Sequence, residues 1–293
     1  MIFGVNLLSG DERLDVGTAA RRAEAAGFDV VTVADHFGAP APFTVLAAAA
    51  AVTQRVRLRT YVLDVGFWQP GLLAREVATL DALSGGRVDL GIGAGHMRSE
   101  HEDLGLPFLP FGRRWAEVER CIGELRRRLV DPGFAPRPVQ DPVPVQVAAM
   151  GPKGLGVAAR LADIVGLAGV LQVHGQPPGT FTLASPEQTA ERMTLVRAIA
   201  GDRMPVLDAL LQRVVVDRDP EHAVAELAAE VEAAGRGPLD TDLWLRSPFA
   251  LFAPTPAAGA EELLRRGQSY GISSWCTHAR SGPGLAAVRA ALC

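Results

Sequence analysis

Strand-like and helix-like segments alternate along the whole chain of 293 residues. The strand-like segments are short, apolar and rich in β-branched residues, which is typical of strands buried on both faces of a parallel sheet. Each is followed by a segment with helical spacing of apolar residues. Eight such units favour a closed (β/α)8 TIM barrel, an α/β fold, over an open doubly wound sheet. The predicted strands cover residues 2–8, 29–33, 56–63, 88–92, 145–149, 163–168, 206–216 and 272–277.

We predict insertions into the barrel after strands 4, 6 and 7. The segment 169–185, after strand 6, is rich in Gly and Pro and is long for a loop, which suggests a lid or a substrate loop. The segment 236–256, after strand 7, shows no regular periodicity. Because α/β barrels of about 250 residues form one domain, we expect a single domain over residues 1–293.

Composition narrows the function classes. The net charge is −4, which gives no electrostatic footprint for nucleic acid or an anionic membrane surface. The longest apolar stretch, residues 45–52, is far short of the roughly 20 residues that span a bilayer. Three widely spaced cysteines suit reduced thiols better than a disulfide framework, and the N-terminus lacks a basic signal region. We therefore expect a cytoplasmic protein that acts on a small molecule.

Histidines follow three of the predicted strands directly. His36, His96 and His278 come after strands 2, 4 and 8, at the barrel face where active sites lie. Histidine is the side chain best suited to proton transfer near neutral pH, although loop histidines are also common surface residues. The same three residues offer an alternative, a metal-dependent hydrolase, against which the absence of a His-x-His pair on strand 1 argues.

Two strand exits are candidates for ligand contact. Gly91, Gly93 and Gly95 leave strand 4 without bulky side chains, which indicates either close approach of a planar or phosphorylated ligand or a tight exit from the barrel. After strand 5, the loop 148–154 leads into a helix N-terminus, where partial positive charge favours phosphate. Lys153, the only lysine of the chain, lies in that loop.

Several blocks of this sequence resemble the bacterial-luciferase-like monooxygenase superfamily, and specifically its branch that uses the deazaflavin coenzyme F(420). The resemblance is strong over about residues 1–170 and weaker beyond. The blocks, in order, are Ala-Ala-Gly-Phe-Asp at 25–29, Ala-Asp-His-Phe at 34–37, Thr-x-Arg-Val-Arg-Leu-x-Thr at 53–60, the stretch from Pro70 to Leu-Ser-Gly-Gly-Arg at 83–87, and Gly-x-Gly-x-Gly at 91–95.

The resemblance implies a (β/α)8 barrel that binds a flavin or deazaflavin at the strand ends. It implies that Asp35 and His36 lie beside the ring, with His36 as a candidate acid or base. A non-proline cis peptide is expected near Tyr61–Val62, under the ring. His96 stands where a relative uses a carboxylate. The other expected cofactor contacts are Ser99 and the strand 5 loop, with Ala149, Met150, Gly151 and Lys153, in which Met150 and Gly151 offer backbone N–H groups to the cofactor phosphate.

By resemblance, the reaction is hydride transfer between coenzyme F(420) and a small organic substrate, with His36 or His96 moving one proton. An alternative within the family is a monooxygenase that uses reduced FMN and oxygen. Another hypothesis is a non-enzymatic barrel that has lost cofactor binding and serves as a subunit of a larger assembly. Family members are usually homodimers.

One departure from the family's sequence pattern is Ala-Pro-Thr-Pro at 253–256, which replaces a Gly-Thr-Pro pattern and removes backbone donors there.

Overall fold

Eight parallel strands close into a barrel in the computed structural model, which describes residues 1–8, 15–175, 180–235 and 237–292. The third barrel strand is in two pieces, β3 and β4, and both pair with β5. The predicted (β/α)8 barrel is therefore confirmed. Numbered in chain order, the barrel strands are β1 (Ile2–Asn6), β2 (Val30–Val33), β3 (Arg57–Thr60), β4 (Leu63–Asp64), β5 (Val88–Gly93), β6 (Val145–Ala148), β7 (Ile164–Leu167), β10 (Val206–Leu211) and β13 (Ser274–Thr277).

Helices surround the barrel and bury their apolar faces against it. Several begin with Pro at the first or second position, where the missing N–H costs nothing. None of the helices in the described ranges is long and apolar enough to cross a membrane. The helices are α1 (Val16–Ala25), α2 (Pro42–Ala50), α3 (Pro70–Ser84), α4 (Arg98–Asp103), α5 (Phe111–Leu129), α6 (Pro152–Leu161), α7 (Pro186–Ala200), α8 (Pro220–Ala233), α9 (Thr241–Arg246), α10 (Pro256–Tyr270) and α11 (Gly282–Ala290).

Two small sheets lie outside the barrel. An antiparallel hairpin, β8 (Val170–Gln172) with β9 (Phe181–Leu183), follows the sixth barrel strand. Strand β11 (Arg213–Val216) pairs in parallel with β12 (Ala250–Ala253) after the seventh. Helix α4 follows the fourth barrel strand.

The prediction of one continuous strand over 206–216 is wrong, because the chain leaves the barrel at Gln212. The backbone N–H of Gln212 donates to the Phe249 carbonyl (2.7 Å), and its side-chain Nε2 donates to the Ala168 carbonyl (2.7 Å). These bonds direct the following residues to β12 instead of β13. The segment 236–256, predicted to be irregular, therefore includes a strand, β12, and also the short helix α9.

The barrel interior contains a buried polar cluster below the strand ends. Arg59 is 2% exposed and forms ion pairs with Asp89 (Nη2–Oδ2, 2.9 Å) and Asp208 (Nη1–Oδ1, 3.4 Å). Asp208 also accepts hydrogen bonds from the Tyr61 hydroxyl (2.8 Å) and from Gln146 Nε2 (3.0 Å). Tyr61, at the third strand end, is thereby anchored to the barrel interior.

Candidate active site

A cavity of about 660 Å³ opens at the carboxyl ends of the barrel strands. This is the face on which barrel enzymes place their active sites. Of the predicted catalytic and cofactor-binding residues, the structure brings seven to its lining: Asp35, His36, Tyr61, Val62, His96, Ala149 and Met150.

His36 is held by a carboxylate that comes from a different part of the chain. Its Nδ1–H donates to Glu100 Oε1 on α4 (2.8 Å). An imidazole whose Nδ1 carries the proton has Nε2 available to accept a second proton, and the imidazolium formed can release it again. Glu100 was missed by the sequence analysis, because a Glu in a short helix 64 residues away carries no local signal of this pairing.

The His96 ring lies against the His36 ring, with centroids 5.8 Å apart and planes at 85°. Desolvation by the surrounding cavity walls and, secondly, the neighbouring His36 lower the pKa of His96 below its ordinary value. His96 is therefore mainly neutral at neutral pH. The two histidines differ in that His36 has a carboxylate partner that fixes its orientation.

Asp35 forms part of the cavity wall beside Trp68. Burial raises the pKa of the Asp35 carboxyl, although the Trp68 Nε1–H donates to its Oδ2 (2.8 Å) and opposes that shift. Burial disfavours the ionised form because the cavity wall solvates charge poorly.

The third strand is interrupted at a cis peptide bond between Tyr61 and Val62, at the predicted position. Both side chains line the cavity. The adjacent glycine exit packs closely against the neighbouring strand. A Cβ on Gly91 would lie 1.9 Å from the Thr60 carbonyl oxygen, and one on Gly95, where φ is +68°, would lie equally close to Asp64 Oδ2. Gly91 and Gly95 thus make room for the neighbouring strand, which supports the tight-exit alternative. Gly93 and Gly95 also line the cavity, so close approach of a ligand stays a prediction.

The strand 5 loop is partly as predicted. Ala149 and Met150 line the cavity, and Gly151 is the N-cap of α6, which lacks a side-chain hydrogen bond to its first turn. Lys153 is exposed and does not line the cavity. Instead, Arg192 of α7 donates from Nε to the Met150 carbonyl (3.0 Å), which places a cation beside this loop that sequence reasoning missed.

Ser99 and His278 have surroundings that the sequence did not predict. Ser99 is exposed on α4 and does not line the cavity, because the helix turns its Glu100 inward instead. His278 lines the cavity but its Nε2 lies 3.1 Å from Gln212 Oε1. In the described ranges, no group of three His, Cys, Asp or Glu side chains is arranged to hold a metal ion, so the three strand-end histidines do not form the ligand set of the hydrolase alternative.

The comparisons with known proteins agree on one protein family. A protein-family model described as luciferase-like monooxygenase matches residues 9–274. The F(420)-dependent glucose-6-phosphate dehydrogenase of Beutenbergia cavernae is 34% identical over 226 residues, covering 69% of this chain and 64% of that protein. The protein of the same name from Nakamurella multipartita is 30% identical, covering 72% and 66%. The match thus spans slightly less than two thirds of the length of these relatives.

Among solved structures, the coenzyme F(420)-dependent tetrahydromethanopterin reductase of Methanopyrus kandleri superposes with a TM-score of 0.71 at 18% identity, covering 98% of this chain and 96% of that one. At this identity the similarity establishes the fold. The family match extends over most of the chain and includes the carboxyl ends of the second to seventh barrel strands. This chain therefore belongs to the luciferase-like monooxygenase family.

Proposed function

We propose that this protein is an oxidoreductase that transfers a hydride between coenzyme F(420) and a small organic substrate. The observation that carries the proposal is the His36–Glu100 hydrogen bond, set beside His96 on a cavity at the barrel mouth. The names of the two dehydrogenase relatives support F(420) as the coenzyme. Such a site provides an acid or base next to a space large enough for a ring system and a substrate.

The residues present fit a deazaflavin coenzyme. Tyr61 and Val62 form one wall of the cavity, and Asp35 offers a carboxyl group that can form a hydrogen bond with a polar ring edge. At the strand 5 loop, Gly151 leaves open space where a Cβ would project, in front of the uncapped first turn of α6. A helix N-terminus of this kind, with Arg192 nearby, suits a phosphate group.

The chain's own contribution is orientation, exclusion of water and one proton. When bound, the coenzyme supplies or accepts the hydride. We assign the substrate proton to Nε2 of His36, because Glu100 holds the opposite nitrogen and so fixes both the ring orientation and the tautomer. His96 serves as a neutral hydrogen-bonding neighbour.

Turnover by the F(420)-loaded enzyme tests the role of His36. We expect His36→Ala to lower kcat about 100-fold, the usual loss for an acid or base, while F(420) affinity changes little. His222→Ala is the matched control, because His222 lies on the exposed surface of α8. Equal kcat in the two variants would contradict the assignment.

Three further expectations belong to the same proposal. The FMN-dependent monooxygenase alternative predicts tight binding of FMN, measurable by the same titration used for F(420). We propose a homodimer, which light scattering of the purified protein tests. We also propose a single domain over residues 1–293, for which one cooperative unfolding transition is the expected observation.

A further inference from the structure

The cavity is bounded mainly by apolar side chains beyond its histidine pair. Val170 and Phe181 from the β8–β9 hairpin, Phe111 from α5 and Leu8 after β1 all face it. Their apolar surface favours ligands with an apolar body, because binding removes that apolar surface from water.

Three rings form a row along one side of this cavity. The His96 ring contacts the His36 ring on one side and the Phe181 ring on the other, with centroids 6.0 Å apart and planes at 68° in the second pair. The row joins the proposed proton-transfer residue to the hairpin. Ring edges and faces at these positions suit a planar or aromatic ligand, because aromatic pairs prefer such edge-to-face and offset contacts.

Fixed positive charge is scarce in the cavity. Among the described lining residues, Arg280 alone is a lysine or arginine, and its Nη1 lies 3.7 Å from Glu230 Oε1. Three carboxyl side chains line the same space, from Asp35, Asp64 and Glu100.

This balance disfavours a phosphorylated substrate. A phosphate monoester carries roughly −1.5 to −2 charges at pH 7 and needs cations or several N–H donors when it leaves water. The sequence has one lysine, Lys153, which is exposed outside the cavity, and burial lowers the pKa of His278 so that its ring is mainly neutral. Barrels often bind phosphate after strands 7 and 8, but the cation at that place, Arg280, already faces Glu230.

We propose that the substrate is a neutral carbonyl compound, or the corresponding secondary alcohol, with an aromatic or other planar apolar body, and not a sugar phosphate. This inference rests on the proposed function. In the reducing direction, the carbonyl carbon gains a hydride from the reduced coenzyme, the C=O π bond opens, and the oxygen takes the Nε2 proton of the His36 imidazolium, which leaves the ring neutral. In the oxidising direction, the alcohol carbon loses the hydride to the oxidised coenzyme and the hydroxyl proton goes to His36.

The test compares two substrates on the F(420)-loaded protein. We expect kcat/KM for 1-phenylethanol to exceed that for glucose 6-phosphate at least 100-fold, and acetophenone to be reduced by the reduced coenzyme. Binding of F(420) is measured first by fluorescence titration. Absence of F(420) binding would overturn the proposed function itself. F(420) binding with preferred turnover of glucose 6-phosphate would overturn only the substrate inference, as would F(420) binding with no thermal stabilisation or turnover by either aromatic compound.

A substitution in the row of three rings tests its role in substrate binding separately from any effect on protein stability. Phe181→Ala should raise KM for 1-phenylethanol about tenfold and leave kcat and the F(420) dissociation constant nearly unchanged. Leu264→Ala is the control, because Leu264 is a similarly exposed apolar residue (45% against 42%) on α10, outside the cavity lining. A Phe181→Ala enzyme whose KM matches that of the control would overturn the role of the row.

Discussion

Substitution of Gly91 tests whether the third and fourth barrel strands meet as closely as the structure shows. In Gly91→Ala the added Cβ would lie 1.9 Å from the Thr60 carbonyl oxygen, whereas ordinary contact begins near 3.4 Å. Overpacking of a core by a methyl group costs about 1–3 kcal/mol. Both sides of this contact belong to barrel strands and cannot rotate away, so we expect the upper end, about 3 kcal/mol of unfolding free energy.

The assay is urea unfolding followed by fluorescence, since the chain has four tryptophans. Gly123→Ala is the matched control: Gly123 lies inside α5, and nothing stands within 4 Å of its added Cβ. That control should gain about 1 kcal/mol from improved helix propensity. Because Thr60 immediately precedes Tyr61, Gly91→Ala should also weaken F(420) binding. A Gly91→Ala protein as stable as the parent would refute the reasoning.

Three further perturbations have expected outcomes. Glu100→Gln should lower kcat about tenfold, because an amide holds His36 less strongly than a carboxylate, and an unchanged kcat would contradict that role. Asp208→Asn should cost about 3 kcal/mol of unfolding free energy, since Arg59 keeps only part of its buried pairing, whereas the exposed Asp202→Asn should cost little. Burial lowers the folded-state pKa of His278 below 6.5, so the unfolded chain binds more protons as pH falls through that range. Stability should therefore drop on acidification from pH 7.5 to 5.5, and His278→Gln should reduce the drop in urea unfolding; an equal drop would contradict the shift.

The barrel was predictable from the sequence because its strands are buried on both faces and alternate with helices. The position of His36 and His96 at one mouth followed from that topology alone, since carboxyl ends of parallel strands meet at one end of the barrel. The break at Gln212 was not predictable. Its cause is a set of hydrogen bonds to Phe249 and Ala168, which are distant in sequence, while the apolar pattern continues unbroken through the bend.

The details of the site depended on the same long-range contacts. The sequence marks Lys153 as unusual, yet the cation that touches the strand 5 loop is Arg192, one arginine among many. Likewise, the close packing at Gly91 and Gly95 is against the Thr60 carbonyl and the Asp64 carboxylate, neither of which is near them in the chain. Local residue patterns identify which loops carry chemistry, whereas packing decides which side chains of those loops meet.

The most direct measurement of the central claim is a fluorescence titration of the purified, cofactor-free protein with F(420) and, separately, with FMN. The account predicts saturable micromolar binding of F(420), with FMN at least tenfold weaker. Tight FMN binding without F(420) binding would contradict the account and favour the flavin monooxygenase alternative.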